Sequence, residues 1–354
     1  MPTIAPNIVS LSQYQVEKGL SSVSGLSSGA FMTVQLHLAH SASFSGAGVV
    51  AGGPYRGVET FRGSSLITED AWELNAMQLC MSPLTAELAP KASHSLRLAQ
   101  QVERDKLIDP LSNMARQRVY VFTGSADSVV LSSVVAQTRE MYRLLGVPDQ
   151  QLYFDDSIPA CHSLLTQNPE DNELSANKPP YLNQGPFIHA HAILQHIYPG
   201  LQAPNAQLSG QILRFDQREF FNNDPAASMS EYGYVYIPKS VQEGASARIH
   251  IALHGCKQGA AYVNFNFGSA DSADQPPYGL RYLNTTGYNE IADSNNLIIL
   301  YPQVKGSDSD NAQNPDGCWD WWGYTSRNAN YPDYFSKNAL QIRAIHAMLE
   351  RLGG

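Results

Sequence analysis

The sequence predicts an α/β protein, a mostly parallel sheet with helices on its faces, and three observations carry that expectation. Short apolar runs such as Gly46–Ala51 (GAGVVA) and Arg118–Thr123 (RVYVFT) lack polar alternation, as strands buried on both faces do. Segments of helical periodicity lie between such runs. Strand and helix then alternate along most of the chain, which is the order of a layered sheet.

In order, Leu20–Gly25 reads as a strand ending in a tight turn, and Phe31, Val34, Leu36 and Leu38 form the buried side of a helix reaching about His40. Gly46–Ala51 follows as a strand, and Ala71–Val102 reads as mostly helical. The strand Arg118–Thr123 leads into the turn Gly124-Ser125-Ala126-Asp127, then a helix over Leu131–Leu145 and a strand at Gln151–Phe154. Pro, Asn and Glu mark Asn168–Pro186 as a surface loop, before a helix at Phe187–Tyr198 and a connector at Pro199–Ser209. The second stretch is strand-rich, with Gln211–Phe215, Gly233–Ile237, Arg248–His254 and Leu297–Tyr301. A closing helix places Leu340, Ala344, Ile345, Met348, Leu349 and Leu352 on one face. No internal repeat is present, and residues 1–354 are expected to form one domain, 1–200 and 201–354 being its two halves.

Composition narrows the function. With 43% hydrophobic residues the chain can bury a real core, and its formal charge of −9 argues against nucleic acid or an anionic membrane as partner. No apolar run approaches the ~18–20 residues of a transmembrane helix. Residues 1–18 carry no charged-then-apolar leader. Four cysteines, at 80, 161, 256 and 318, show no zinc spacing and suit two disulfides, hence an exported protein whose leader has been removed. His189 and His191 cannot share a metal from one helix face, and neither a metal nor a cofactor is expected.

The chemistry is carried by Gly25-Leu26-Ser27-Ser28-Gly29, the only GxSxG in the chain. A strand before it and a helix after it are the context of a nucleophile elbow, so the α/β class narrows to an α/β-hydrolase with Ser27 as nucleophile. A serine alcohol needs a histidine base and a carboxylate that orients it. Asp127, directly after a strand, fits the acid, and His162, on the turn after Gln151–Phe154, fits the base. Asp155 and Asp156 are rival acids on the same loop as the histidine; His37, His40, His196 and His346 read as helix-face residues.

His254-Gly255-Cys256, after the strand Arg248–Leu253, is the HG pattern that supplies a second oxyanion donor in this fold. That strand ordinarily precedes the nucleophile strand, whereas here it comes long after. Few strands precede Ser27, and the chain ends in a helix; joining that helix to the first strand restores the usual order, so the chain reads as circularly permuted.

Ser24–Met32 (SGLSSGAFM), Leu253–Cys256 (LHGC) and Gly317–Trp322 (GCWDWW) together resemble the poly(3-hydroxybutyrate) depolymerases, and more closely their permuted, single-domain members known from fungi. The resemblance implies a Ser27–Asp127–His162 triad, an oxyanion hole from the backbone N–H groups of Ser28 and Cys256, and a substrate role for Trp319. It also places Cys256 with Cys318, which by elimination leaves Cys80 with Cys161. No separate substrate-binding domain or Thr-rich linker is seen, unlike in multidomain members. Independently of the resemblance, Trp319, Trp321 and Trp322 cluster in a Gly/Asn/Asp-rich loop, as an aromatic rim for an apolar polyester would. The expected function is hydrolysis of a short-chain aliphatic polyester or its oligomers by a monomer. A feruloyl or acetylxylan esterase, or an inactive polymer-binding homologue, is the alternative.

Overall fold

The computed structural model describes residues 4–60, 72–264, 272, 274–306, 314–328 and 330–354. Its strands are β1 (Ile4–Val9), β2 (Ser21–Leu26), β3 (Phe44–Val50), β4 (Arg118–Phe122), β5 (Leu152–Asp155), β6 (Leu164–Thr166), β7 (Leu182–Gln184), β8 (Gln211–Asp216), β9 (Tyr232–Ile237), β10 (Arg248–Leu253) and β11 (Leu297–Tyr301). Nine of them form one sheet in the order β1-β8-β9-β11-β10-β2-β3-β4-β5. Only β9 runs against its neighbours; the other pairings are parallel. Helices flank this sheet, giving the expected α/β-hydrolase architecture.

The centre of the sheet is the most apolar part of the chain. β2, β11 and all but the first residue of β10 are fully buried, and β3 carries Gly46 and Gly48 where neighbours press closest. A side chain at Gly46 would collide with the Arg118 carbonyl of β4, and one at Gly48 with Ile193 of the helix His189–Ile197. Small residues therefore let a helix lie directly on this face. The register sets Leu253 of β10 opposite Gly25 of β2, and Gly25 opposite Val49 of β3, so the carboxyl ends of three adjacent strands open side by side.

Helix α1 (Ser28–Ala39) departs from the expected one-sided burial: all twelve residues are buried. It lies between the sheet and the closing helix Leu340–Leu352, and beyond Ser28 its polar side chains find partners inside the protein. Thr33 Oγ1 donates to the Gly29 carbonyl at 2.8 Å, and His37 meets Tyr142 at 3.0 Å and Gln117 at 3.3 Å.

Two other expectations change. The stretch expected to be helical over 71–102 breaks into Trp72–Asn75, a turn of π-helix Ala76–Met81, a 3₁₀ turn Ala86–Leu88 and a helix Ala92–Arg104; Ala71 lies outside the described residues. Pro83 and Pro90, which lack the N–H a helix needs, fall at the breaks. The loop expected over 168–186 holds β7, which pairs in parallel with β6, while Asn183 Nδ2 donates to the carbonyls of Leu174 and Ala176. Both elements were too short for periodicity to reveal.

The segment that follows β1 meets the closing helix. Tyr14 N donates to the Leu352 carbonyl at 3.0 Å, and Val16 bridges to Ala247 just ahead of β10. Among the described residues no helix is long and apolar enough to cross a membrane.

Histidines are built into this core in neutral form. His250 lies between Ser22 and Ser24, its ring nitrogens 2.7 and 2.8 Å from their hydroxyls, and burial pushes its imidazole down to about 3. Burial likewise lowers His189 to about 3 and His37 and His254 to about 4. An unfolded chain binds protons at these sites near the ordinary 6.5, so between there and about 4 it binds more protons than the folded one. The contribution of these histidines to stability is therefore complete above about pH 6.5 and is lost as pH falls toward 4. Thermal melts across that range should show a steady fall in midpoint; a flat profile would mean these rings are reached by solvent.

Candidate active site

Ser27 joins β2 to α1 with φ 55° and ψ −122°, a left-handed conformation that a non-glycine residue adopts only under constraint. The constraint is visible on both sides. Ser27 N donates to the Val50 carbonyl at 3.0 Å, and its own carbonyl accepts from Phe31 N at 2.9 Å, opening the helix. Cβ atoms at Gly25 and Gly29 would strike, respectively, the Gly29 backbone and the carbonyls of Leu253 and His254. The two glycines of the motif are thus needed to fold the turn and to press α1 onto the end of β10.

Asp127 follows β4 in a turn whose path is set by Gly124, where a side chain would meet the Ala160 carbonyl. Its Oδ1 accepts from the backbone N–H groups of Val129 (2.8 Å) and Val130 (3.0 Å), and its Oδ2 lies 2.8 Å from His162 Nδ1. Both side chains are buried. Asp155 points elsewhere, accepting from Ser157 N and Oγ, and Asp156 is exposed, so the structure brings Asp127 and neither rival to the histidine. Tyr181 stands edge-on to His162 with ring centroids 5.6 Å apart.

On the other side of Ser27 the loop after β10 is held from several directions. Val304 N donates to His254 Nε2 at 3.2 Å, which leaves Nδ1 to donate to the Gly255 carbonyl at 2.7 Å. Gln258 Oε1 accepts from Gly255 N at 2.5 Å, and its Nε2 donates to the Pro180 carbonyl at 2.6 Å. Cys256 is bonded to Cys318. Ser27, Ser28, His162 and Cys256 all line one cavity of about 260 Å³, whose remaining wall is largely apolar and includes Phe31, Met77, Met81, Trp321 and Trp322. Lys257 and Asp316, 3.5 Å apart, supply charge at its edge.

Known proteins resemble this chain in sequence and fold. No family model matches the chain. A poly(3-hydroxybutyrate) depolymerase of Delftia acidovorans is 37% identical over 350 residues, 97% of this chain; the chain spans 62% of that relative's length. A polyhydroxybutyrate depolymerase of Talaromyces funiculosus is 32% identical over 334 residues, covering 90% of this chain and 87% of the relative. The chain belongs to the poly(3-hydroxybutyrate) depolymerase family. Two solved structures agree, each with a TM-score of 0.80 over 97% of this chain and 98% of the other. One is the PHB depolymerase from Penicillium funiculosum (29% identical), and the other a PHB depolymerase with a serine-to-alanine substitution, complexed with an R3HB trimer (28%).

Within this depolymerase scaffold three expectations separate. Cys256 and Cys318 are joined, but Cys80 and Cys161 are free. Cys80 is buried beside Gly57, and burial pushes its thiol well up, whereas the Cys161 thiol donates to the Ser175 carbonyl at 3.1 Å. Elimination fails here because one cysteine of that pair packs inward and the other belongs to the histidine loop. Trp319 is the second correction: it is fully buried, is not part of the cavity wall, and tilts against His254 at 5.5 Å beneath the loop it was expected to face outward from. Trp321 and Trp322 do line the cavity; Trp321 stacks on Phe31 at 3.8 Å and meets Trp322 edge-on at 5.4 Å.

Sequence reasoning missed Gln258, Tyr181 and Asp320. Asp320 Oδ1 accepts from the N–H groups of Trp322, Gly323 and Tyr324, and Oδ2 from Thr325 N and Oγ1, so one buried carboxylate shapes the aromatic loop. Burial raises the pKa of this carboxyl despite those donors. The signal was its place between tryptophans, which read as loop polarity. Among the described residues no group of acidic, histidine or cysteine side chains could hold a metal.

Denatured, unreduced protein should titrate two thiols; none would restore the second disulfide, and four would remove the first. Reducing the Cys256–Cys318 bond, which closes a separation of 62 residues, should cost about 4 kcal/mol by loop entropy. Asp320→Ala strands five donors and should lower stability by about 3 kcal/mol or more in denaturant titration.

Proposed function

We propose that the chain hydrolyses the ester bonds of poly(3-hydroxybutyrate) and its oligomers through an acyl-enzyme on Ser27. The observation that carries this reading is the convergence of Ser27, the His162–Asp127 pair and the Cys256 loop on one largely apolar cavity. The family relationship and the trimer complex of a structural relative support it.

In this reading Asp127 holds the Nδ1 proton of His162, leaving Nε2 to take the Ser27 proton as Oγ attacks the ester carbonyl. The backbone N–H groups of Ser28, at the start of α1, and of Cys256 receive the negative charge that forms on the carbonyl oxygen. His162 then returns the proton to the departing alcohol, and a water repeats the sequence on the acyl-enzyme. An oligomer of hydroxybutyrate carries methyl groups along its backbone, which Trp321, Trp322 and Met77 can cover without asking for hydrogen bonds.

We further read residues 1–354 as one catalytic domain acting as a monomer. The strand order fits a hydrolase sheet entered at β2, and the contact between Tyr14 and Leu352, segments that the usual order would join, supports a circular permutation that opened the chain there. A disulfide supports an oxidising, extracellular setting.

Ser27→Ala should abolish ester hydrolysis with an unchanged melting temperature, His162→Ala should be nearly as damaging, and Asp127→Asn should cost about 10⁴-fold in kcat, the scale known for a wrongly oriented histidine. Turnover of p-nitrophenyl butyrate by folded Ser27→Ala would end the mechanism. Clearing of a polyester emulsion, set against release of ferulate or acetate from sugar esters, decides the substrate class.

Substrate contact now rests on the two cavity-wall tryptophans. Trp322→Ala should lower kcat/KM for hydroxybutyrate trimer by about 10-fold or more and spare p-nitrophenyl acetate, because a small ester uses little of that surface. Trp319→Ala should instead destabilise by about 3–5 kcal/mol and affect both substrates alike. The opposite pattern in steady-state kinetics and melting would return the substrate role to Trp319.

A further inference from the structure

Ser28 is the first residue of α1 and directly follows the nucleophile. It is 2% exposed, and its hydroxyl oxygen has no hydrogen-bond partner among the described residues. A hydroxyl in that state costs its full desolvation unless something arrives to accept from it. Nearby hydroxyls are committed: Ser22 and Ser24 to His250, Ser24 also to Tyr288, and Thr33 to the Gly29 carbonyl. Ser21, likewise without a partner, sits at the opposite end of β2 from the cavity. Ser28 belongs to the cavity wall together with Ser27, His162 and Cys256. Helical side chains lean toward the helix N-terminus, which at this first position is toward the nucleophile.

We infer that the Ser28 side chain is a third oxyanion donor, its hydroxyl joining the backbone N–H groups of Ser28 and Cys256. The inference rests on the serine-esterase reading above and deepens it. When Ser27 Oγ bonds to the acyl carbon, its proton passes to His162, and the carbonyl π pair moves onto oxygen. Ser28 Oγ–H donates to that oxygen and keeps its own proton. As the oxyanion collapses, the C–O bond to the alcohol breaks, the leaving oxygen takes the proton from His162, and the Ser28 hydroxyl is left without an acceptor again. A donor satisfied only while the charge exists stabilises the transition state and not the bound ester.

The test uses Ser28→Ala, which keeps the backbone N–H and removes only the hydroxyl. With p-nitrophenyl butyrate, kcat should fall by about 10- to 100-fold, below the loss for a principal oxyanion donor, with KM held within about twofold. Inhibition by phenylboronic acid, whose adduct with Ser27 places an anionic oxygen at the same point, should weaken by a similar factor. The melting temperature should stay equal or rise, since a buried unpartnered hydroxyl has been removed. Should Ser28→Ala not fold, Ser28→Cys preserves the volume with a weak donor, and the same losses are expected. Unchanged kcat and boronate inhibition in the folded variant would overturn the inference while leaving the esterase reading intact. A fall in kcat with a lower melting temperature and unchanged boronate inhibition would assign Ser28 a packing role and overturn it too. Wild-type protein that turns over no ester would overturn both.

Discussion

Everything in this site depends on the parallel pairing of β10 with β2, in register from His250 opposite Ser22 to Leu253 opposite Gly25. That ladder ends both strands at the same level, so the elbow at Ser27 and the loop from His254 emerge as neighbours. Gly29 tightens the junction, because α1 can approach the carbonyls of Leu253 and His254 only where no Cβ stands between. The residues of the two loops are more than two hundred positions apart in the chain, yet their separation in space is decided by a few backbone hydrogen bonds.

Around that junction the protein spends buried polar groups on orientation. His254 and Gln258 hold the backbone of the loop after β10, His250 ties β10 to β2 by way of two serines, and Asp320 winds the aromatic loop around its carboxylate. Each is nearly complete in its hydrogen bonds, which is the condition under which burial of a polar group stabilises one arrangement instead of costing stability. Ser28, beside Ser27 in the cavity wall, is an exception, at the place where the proposed mechanism puts charge. The Cys256–Cys318 bond then ties the loop after β10 to the aromatic one, so that two walls of the cavity are covalently joined.

The division of labour among the tryptophans follows from the same coupling. Trp319, next to the disulfide, is drawn under the loop and supports His254 from below. Two residues on, Trp321 emerges onto Phe31 of α1, and Trp322 reaches further out. Adjacent residues in an irregular loop carry no period from which to infer direction, and here the Asp320 turn sets it.

The sequence by itself determined the layered α/β class, the elbow at Ser27 and the pairing of Asp127 with His162, because each depends on local pattern. Buried strands lack alternation, the elbow requires glycines at fixed spacing, and the acid and base follow strand ends. It also pointed to the HG loop as the partner of Ser27, since a motif displaced along the chain still keeps its strand. Tertiary structure alone decided that α1 is buried on every side, that Cys80 and Cys161 stay apart, that Trp319 is core while Trp321 and Trp322 form the wall, and that Gln258 and Tyr181 brace the site. These depend on which surfaces meet across the fold. A side chain's direction in an irregular loop, and the partner a cysteine finds, are settled by packing between segments far apart in sequence, where no residue spacing records them.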